Sequence, residues 1–383
     1  MFSRLLVVAS LSAAVAHAHL AAWHKGMYGL NGVTGAIDYN SDDVVHPLYQ
    51  LKKKDWWFHG YNNVPNFPPA AGNFLELPAG KSFSVEIASN RGETSLSFSG
   101  KYSSEWPDGQ EYPEDYHVET CITSPNMHTQ NQTRAAGTAF AIAYTSDINK
   151  VTPENLAVFT VRYHTPWKRL TSYDVPADMP ACPEGGCICA WGWVPNGCGQ
   201  ANMYHLPYRC KVTGATSTKA VGTAKPPVWC ENNANGCTNG PKQMIYWNQL
   251  EGNNIKVDGY DAAGDFKSPA YNSKCGFPDG AQNDIFTGAS SSPSSSDSND
   301  SKSDSGYSSK PDSSSSSSNE ADKADTGGKK AAAVVSSTTT SSASSSSPSS
   351  TPVCKTRKAR RAEAAEKRST GPLSHRRRSS HVF

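Results

Sequence analysis

The sequence has no apolar run long enough to cross a lipid bilayer. The apolar stretch from Leu5 to Val15 is well short of the roughly 20 residues that a membrane-spanning helix needs. Arg4 precedes it, and the small-x-small sequence Ala16-His17-Ala18 follows it. This arrangement is typical of a secretory signal peptide. We therefore predict that residues 1–18 are removed, that the protein is secreted and extracellular, and that it has no membrane span.

The sequence also lacks any long segment with the 3.6-residue apolar period of an amphipathic helix. Short runs with alternating or β-rich composition recur instead, separated by clusters of Gly, Pro, Asn and Asp. These runs are residues 81–88, 95–98, 138–144 and 156–163. The pattern predicts a mainly β fold, an immunoglobulin-like antiparallel β-sandwich with long disulfide-tied loops.

Large apolar residues are almost absent from the C-terminal part of the chain. From Gly288 to about Ser350 the sequence is dominated by Ser, so it cannot bury enough surface to fold. We expect three parts: a signal peptide at 1–18, one β-sandwich domain at 19–287, and a disordered Ser-rich linker with a basic tail at 288–383. Residues 355–383 contribute +8 to a total charge of +2, so the remainder is acidic at −6. An acidic domain argues against a nucleic-acid partner.

Cysteine usage agrees with secretion. Nine of the ten cysteines lie before residue 288, where an oxidising compartment would pair them as disulfides. The spacing Cys187-Ile-Cys189 is not that of a zinc knuckle, so a zinc site is the weaker alternative. Nine is an odd number, and one cysteine is left over unless Cys354 pairs with it. Asn131-Gln132-Thr133 and Asn299-Asp300-Ser301 are N-glycosylation sequons, which predict a glycoprotein.

Cleavage after Ala18 would make His19 the N-terminal residue. Such a histidine offers its α-amine and its imidazole Nδ1 to one metal ion, a chelate that no internal residue can form. The amine has a pKa of about 7.7–8.0, low enough for a borderline metal to displace its proton. A set of nitrogen ligands in a tetragonal arrangement favours Cu(II). We therefore predict one copper ion per chain at His19.

Sequence spacing alone does not choose the remaining ligands. A second histidine would complete a T-shaped set of three nitrogens, and a tyrosine hydroxyl could lie on the axis as a weak ligand. The other histidines of the domain are His24, His46, His59, His117, His128, His164 and His205.

Four separated aromatic motifs resemble the fungal copper-dependent lytic polysaccharide monooxygenases of auxiliary activity family 14. They are His19-Leu-Ala-Ala-Trp-His-Lys-Gly-Met-Tyr28, Asp55-Trp-Trp-Phe-His-Gly60, His164-Thr-Pro-Trp167 and Ala190-Trp-Gly-Trp-Val-Pro-Asn-Gly-Cys-Gly-Gln-Ala-Asn-Met-Tyr204. The similarity covers roughly residues 19–286 and no part of the tail.

The resemblance implies a histidine brace: copper bound by the N-terminal amine and ring of His19, by a second histidine and by an axial tyrosine. The second histidine of the family falls in a segment like residues 114–121 here, which points to His117. For the axial ligand the resemblance points to Tyr204, because related enzymes place it two residues after an amide such as Asn202. Tyr208 is the competing choice. These residues, His19, His117 and Tyr204, are the expected catalytic and metal-binding site.

The implied activity is oxidative cleavage of an insoluble polysaccharide, with xylan on cellulose as the expected substrate. It needs an external electron donor and O2 or H2O2, and we expect a monomer. C–H hydroxylation needs no pair of glycosidase carboxylates, so Glu114, Asp115 and Glu119 are interpreted as loop charges. Two other classes remain open at this stage: a non-catalytic histidine-brace copper protein of the fungal surface, and a carbohydrate-binding wall protein.

Overall fold

The structure, a computed structural model, describes residues 19–125, 127–196 and 198–287. The predicted signal peptide and the predicted tail lie outside these residues. The described part has one four-residue α-helix, α1 (Lys53–Trp56), and otherwise strands, loops and short 3-10 turns. Its strands are β1 (Ala21–Trp23), β2 (Leu75–Pro78), β3 (Ser82–Ala88), β4 (Thr138–Ala143), β5 (Ala157–Arg162), β6 (Leu170–Asp174), β7 (Cys187–Trp193), β8 (Tyr204–Thr213) and β9 (Gly280–Ala281).

The strands form two sheets, which confirms the predicted mainly β fold. The first sheet has the order β1-β3-β6, and the second has the order β2-β8-β7-β4-β5-β9. All pairings are antiparallel except that of β2 with β8, where Leu75 lies beside Cys210 in parallel register. The sandwich is therefore antiparallel with one parallel edge strand.

Aromatic side chains from both sheets fill the space between them. Phe83 of β3 lies edge-on to Phe140 of β4, with ring centroids 5.1 Å apart, and Phe140 contacts Tyr208 of β8 at 5.4 Å. Tyr173 of β6 packs against Phe140 at 4.9 Å, and its hydroxyl is 2.6 Å from the Thr138 hydroxyl. Edge-to-face pairs of this kind add about 0.5–1.5 kcal/mol each to the free energy of area burial. The core thus fixes how closely the two sheets approach.

The period-two pattern located three strands correctly, but residues 95–98 are not a strand. Phe98 and Ser99 have φ values of +48° and +54°, in the left-handed region. The Glu86 carboxylate accepts hydrogen bonds from the backbone N–H of Ser95 at 2.9 Å and from its hydroxyl. A side chain, and not a neighbouring strand, therefore satisfies this backbone.

Four disulfides confirm the predicted disulfide-tied loops. They join Cys121 to Cys198, Cys182 to Cys187, Cys189 to Cys210 and Cys230 to Cys237. The zinc alternative is excluded for Cys187 and Cys189, because both are oxidised. Cys275 is the unpaired cysteine of the described part, and it is buried.

A second apolar layer covers the outer face of the larger sheet. His205 of β8 points into this layer, where its ring contacts Phe58 at 4.7 Å, Trp57 at 4.9 Å and Tyr246 at 5.4 Å. His59 is also fully buried, and no nitrogen of either imidazole has a hydrogen-bond partner among the described residues. Burial lowers the pKa of His59 and the pKa of His205 to about 3. Both rings are therefore neutral in the folded protein.

These two histidines predict an acid-sensitive fold. In the unfolded chain a histidine has a pKa near 6.5, so below that pH the unfolded state binds more protons than the folded state. The contribution of the two histidines to the free energy of unfolding is fully present above pH 6.5 and is lost as the pH falls towards 3. The limiting slope is about 1.4 kcal/mol per pH unit for each histidine. Urea denaturation between pH 7 and pH 4 measures the slope.

Two variants test whether protonation of the buried histidines causes the pH dependence. His205→Phe keeps an aromatic ring in the apolar layer but cannot be protonated, so its slope should fall by up to about 1.4 kcal/mol per pH unit. The remaining slope belongs to other buried histidines, since burial also lowers the pKa of His24 and of His128. His164 is exposed, and His164→Asn should leave the slope unchanged. An unaltered slope in His205→Phe would contradict the prediction.

Candidate metal centre

The position of His19 is set by the first strand. Leu20 and Ala21 directly after it are fully buried, and β1 pairs with β3 so that Ala21 lies opposite Ala88. His19 itself is half-buried at the end of the sheet. A short, buried strand therefore holds the predicted metal-binding residue at the edge of the sandwich.

Tyr204 approaches His19 from the second sheet. It begins β8, directly opposite Trp193 of β7, and the two rings stack with centroids 4.6 Å apart. The Tyr204 hydroxyl lies 3.2 Å from Nδ1 of His19. Burial raises the pKa of Tyr204 well above its usual value, so the side chain is a neutral phenol at the pH of any ordinary environment.

A third side chain, His128, completes the group. Its ring lies nearly parallel to that of His19, with centroids 6.3 Å apart and an interplanar angle of 15°. Its Nδ1 is 2.7 Å from the Cys198 carbonyl oxygen, so this nitrogen is the N–H donor. Nε2 is therefore the nitrogen with a free lone pair, and it is buried with no hydrogen-bond partner in the described part.

Burial lowers the pKa of His128, and the Cys198 carbonyl opposes this shift only in part. The imidazole is thus neutral and ready to act as a ligand, because metals bind the unprotonated ring. Its orientation is fixed by a hydrogen bond from the other ring nitrogen to a backbone carbonyl, the usual way in which proteins orient histidine ligands.

The loop around Cys198 leaves no room for a larger residue next to His128. Gly199 has a φ of +96°, and a Cβ at this position would lie 3.0 Å from Nδ1 of His128. The Cys121–Cys198 disulfide ties the same loop to the segment that leads to His128. Glycine is required here both by the backbone conformation and by the close approach of the ring.

The remaining predicted residues have other contacts in the structure. His117 is exposed, and its Nδ1 lies 2.9 Å from the Asp115 carbonyl oxygen. Tyr208, the competing axial tyrosine, is buried in the core, where its hydroxyl donates to the Ala22 carbonyl. Glu114 is exposed and pairs with Lys168. Of the predicted set, His19 and Tyr204 are therefore brought together, whereas His117 is not shown beside them.

His128 was not singled out from the sequence. It was one of seven candidate histidines, and no spacing relates it to His19, because the two meet only through the folding of a loop. The one local signal is its position between Cys121 and the glycosylation sequon, which marks a constrained surface loop. Asn131 of that sequon is half-buried, and its modification stays a prediction.

Two histidines and a phenol do not by themselves make a strong metal site. Among residues 19–125, 127–196 and 198–287, no group of three or more His, Cys, Asp or Glu is close enough to hold a metal ion. A third strong donor must come from a group outside this list. The α-amine that the predicted cleavage would free at His19 is adjacent to its own ring and would meet this need.

Comparison with known proteins identifies the family. The family model described as lytic polysaccharide monooxygenase AA14 matches residues 1–381. The chain belongs to this family. The match extends through the tail, so the expectation that similarity ends at Phe286 was wrong.

Named relatives agree with the match. The chain is 39% identical over 283 residues to an AA14 family lytic polysaccharide monooxygenase B of Pycnoporus cinnabarinus. This alignment covers 70% of each chain. A protein of the same name from Trametes coccinea is 38% identical, covering 70% of this chain and 62% of its own. One from Talaromyces rugulosus is 34% identical, covering 74% of this chain and 98% of its own.

Membership confirms the predicted enzyme class. Lytic polysaccharide monooxygenases are copper-dependent oxidoreductases that act on polysaccharides with an external reductant, so the chain is an enzyme of this kind. The wall-protein and non-catalytic alternatives are set aside. No helix of the described residues is long and apolar enough to cross a membrane.

The close approach at Gly199 generates a prediction. Gly199→Ala should destabilise the folded protein and displace His128, because the added methyl would lie 3.0 Å from the ring at a left-handed φ. We expect a lower thermal midpoint and weaker copper binding, measured by calorimetry. The left-handed backbone alone costs about 1–2 kcal/mol.

Gly214→Ala is the matched control. Gly214 has a φ of +66°, and a Cβ there would meet nothing within 4 Å. Gly214→Ala should lower the thermal midpoint through the left-handed backbone alone and leave the copper affinity unchanged. Equal copper affinities in both variants would contradict the role of Gly199.

Proposed function

We propose that His19, His128 and Tyr204 form a histidine-brace copper site, with the α-amine of His19 freed by removal of residues 1–18. The observation that carries this proposal is the buried, unpartnered Nε2 of His128, on a ring nearly parallel to that of His19 with the two centroids 6.3 Å apart. An orphaned buried nitrogen costs about 1–3 kcal/mol unless a ligand satisfies it. A metal ion bound by Nε2 of His128 would do so.

His128 replaces His117 in this proposal. Both histidines lie in the same loop region, but His117 is exposed and directed at its own backbone. His128 is neutral, buried and held through Nδ1 by Cys198. The donor set would then be two imidazoles, one amine and one phenol oxygen, a combination that suits copper.

Secretion is part of the proposal, because only cleavage before His19 creates the amine. The four disulfides of the described part support an oxidising compartment. We further propose that the protein acts as a monomer with one copper ion, and that its substrate is xylan associated with cellulose.

The residues of the chain have distinct parts in this chemistry. When copper is bound, it supplies the one-electron chemistry with O2 or H2O2 by which a sugar C–H bond is oxidised. Tyr204 remains protonated and covers one side of the site, since Trp193 stacks on its ring and fixes it. Trp193 also contacts His128 at 5.5 Å, and this buried indole keeps water from the rear of both side chains.

The ligand assignment is tested by paired variants. His128→Ala should remove one nitrogen from the Cu(II) paramagnetic resonance spectrum and weaken copper binding at least about 100-fold, because ligand loss exceeds the 10–100-fold effect of losing an outer partner. His117→Ala should keep the spectrum of the parent chain. The opposite pattern would restore His117 as the ligand.

A second measurement isolates the amine. A form of the chain that keeps Ala18 has an amide in place of the amine of His19, and it should bind copper more weakly than the processed form. Equal affinity of the two forms would overturn the brace while leaving the family assignment intact.

The substrate is tested with the copper-loaded, processed protein. Incubation with xylan-coated cellulose and a small reductant should release oxidised xylo-oligosaccharides, identified by mass spectrometry. Omitting the reductant should abolish them, because the metal must be reduced before it reacts with oxygen. Oxidised products from cellulose alone, with none from xylan, would contradict the proposed substrate.

A further inference from the structure

Three aromatic side chains form an exposed cluster on two loops, one between β1 and β2 and one that follows β3. Tyr39, Phe98 and Tyr102 are 48%, 42% and 52% exposed. Their rings are in contact, with centroids 5.9 Å apart for Tyr39 and Phe98 and 5.4 Å apart for Phe98 and Tyr102. Contiguous exposed aromatic surface of this kind is a common mark of a binding site.

The cluster borders an open groove of about 490 Å3. The groove is lined by Tyr39, Leu96, Phe98 and three serines, Ser95, Ser97 and Ser99, with no Asp, Glu, Lys or Arg among its lining residues. The Ser97 side chain is 2% exposed, and its hydroxyl has no hydrogen-bond partner among the described residues. Ring faces and hydroxyls suit a neutral, polyhydroxylated ligand, and Lys101, whose Nζ lies 5.1 Å from the centre of the Tyr102 ring, adds a hydrogen-bond donor beside them.

The loop holds Phe98 at the surface in an unfavourable backbone conformation. Phe98 and Ser99 both have a positive φ, which is rare for a bulky side chain. Backbone of this type persists only where the surroundings enforce it, and it concentrates at ligand-binding positions.

The buried side chain of Arg91 holds the loop in this conformation. Its guanidinium donates to the Asn31 amide oxygen at 2.7 Å and to the Leu96 carbonyl at 3.2 Å, and it lies 5.0 Å from the centre of the Tyr39 ring. One mostly buried cation thus joins the loop that carries Tyr39 to the loop that carries Phe98. The hydrogen bonds of Arg91 thus connect the two loops that form the groove.

Strand register places the start of the loop that carries Phe98 at the end of the sheet that bears His19. The loop carrying Phe98 leaves β3 after Ala88, which pairs with Ala21, two residues from His19. A long polymer bound in the groove could therefore continue towards the copper site.

We propose that the groove lined by Tyr39 and Phe98, together with the adjoining ring of Tyr102, binds the polysaccharide chain of the substrate outside the copper site. This inference rests on the proposed function. The aromatic faces stack on the C–H faces of sugar rings, and the exposed hydroxyls of Ser95 and Ser99 bond to sugar hydroxyls. The groove contributes adhesion to the insoluble substrate and takes no part in the copper chemistry.

Adsorption to solid substrate tests the proposal without relying on turnover. The full processed chain is mixed with xylan-coated cellulose, and the protein left in solution is measured. The double variant Tyr39→Ala/Tyr102→Ala should adsorb about tenfold more weakly, since each aromatic contact contributes about a few-fold. Tyr102→Phe keeps the ring and should adsorb like the parent chain.

Two controls make the result specific. Leu250 is 61% exposed and lies outside the groove, so Leu250→Ala should adsorb normally. Production of H2O2 with a reductant and no polysaccharide should be unchanged in every variant, which shows that the metal site is intact. Undiminished adsorption of the double variant, or an equal loss in Leu250→Ala, would overturn the groove.

The two proposals fail separately. If the parent chain adsorbs through the groove but releases no oxidised xylan products, the proposed substrate is wrong and the groove stands. If oxidised products appear and the double variant adsorbs normally, the groove is wrong and the proposed function stands.

Discussion

The packing of one indole, that of Trp193, is the contact on which the candidate metal centre depends. Trp193 is fully buried at the end of β7, stacks on Tyr204 of the neighbouring β8 and lies edge-on to His128. It therefore sets the positions of two of the three side chains at once. Because β7 and β8 are interior strands of the larger sheet and the Cys189–Cys210 disulfide joins them, the site has the rigidity of the sheet.

The third side chain, His19, belongs to the other sheet, so the site spans the sandwich. The separation of 3.2 Å between the Tyr204 hydroxyl and His19 thus reports how closely the two sheets pack. Tyr208 contributes to this spacing from the core, because its hydroxyl bonds to the Ala22 carbonyl in β1. Aromatic packing far from the metal therefore determines whether the ligands from the two sheets can meet.

The sequence predicted some strands and site residues but not others. β3, β4 and β5 lie in runs that the sequence marked as β, although β4 and β5 are buried along nearly their whole length. β7 is buried in the same way, and its sequence Cys-Ile-Cys-Ala-Trp-Gly-Trp has no polar residue to alternate with the apolar ones. His19 follows from a cleavage signal and Tyr204 from family resemblance. His128 followed from neither, because its position depends on a hydrogen bond to the Cys198 backbone and on a disulfide between distant segments. Such contacts have no periodicity in sequence.

Cys198 serves the site through two different groups. Its carbonyl orients the His128 ring, while its sulfur is joined to Cys121 at the start of the loop that leads to His128. The position of the His128 ring is therefore set during oxidative folding, when this disulfide forms. A chain folded in a reducing compartment would have the same residues with His128 on a loop that no disulfide holds. If His128 binds copper as proposed, the yield of active protein would depend on the folding route as well as on copper supply.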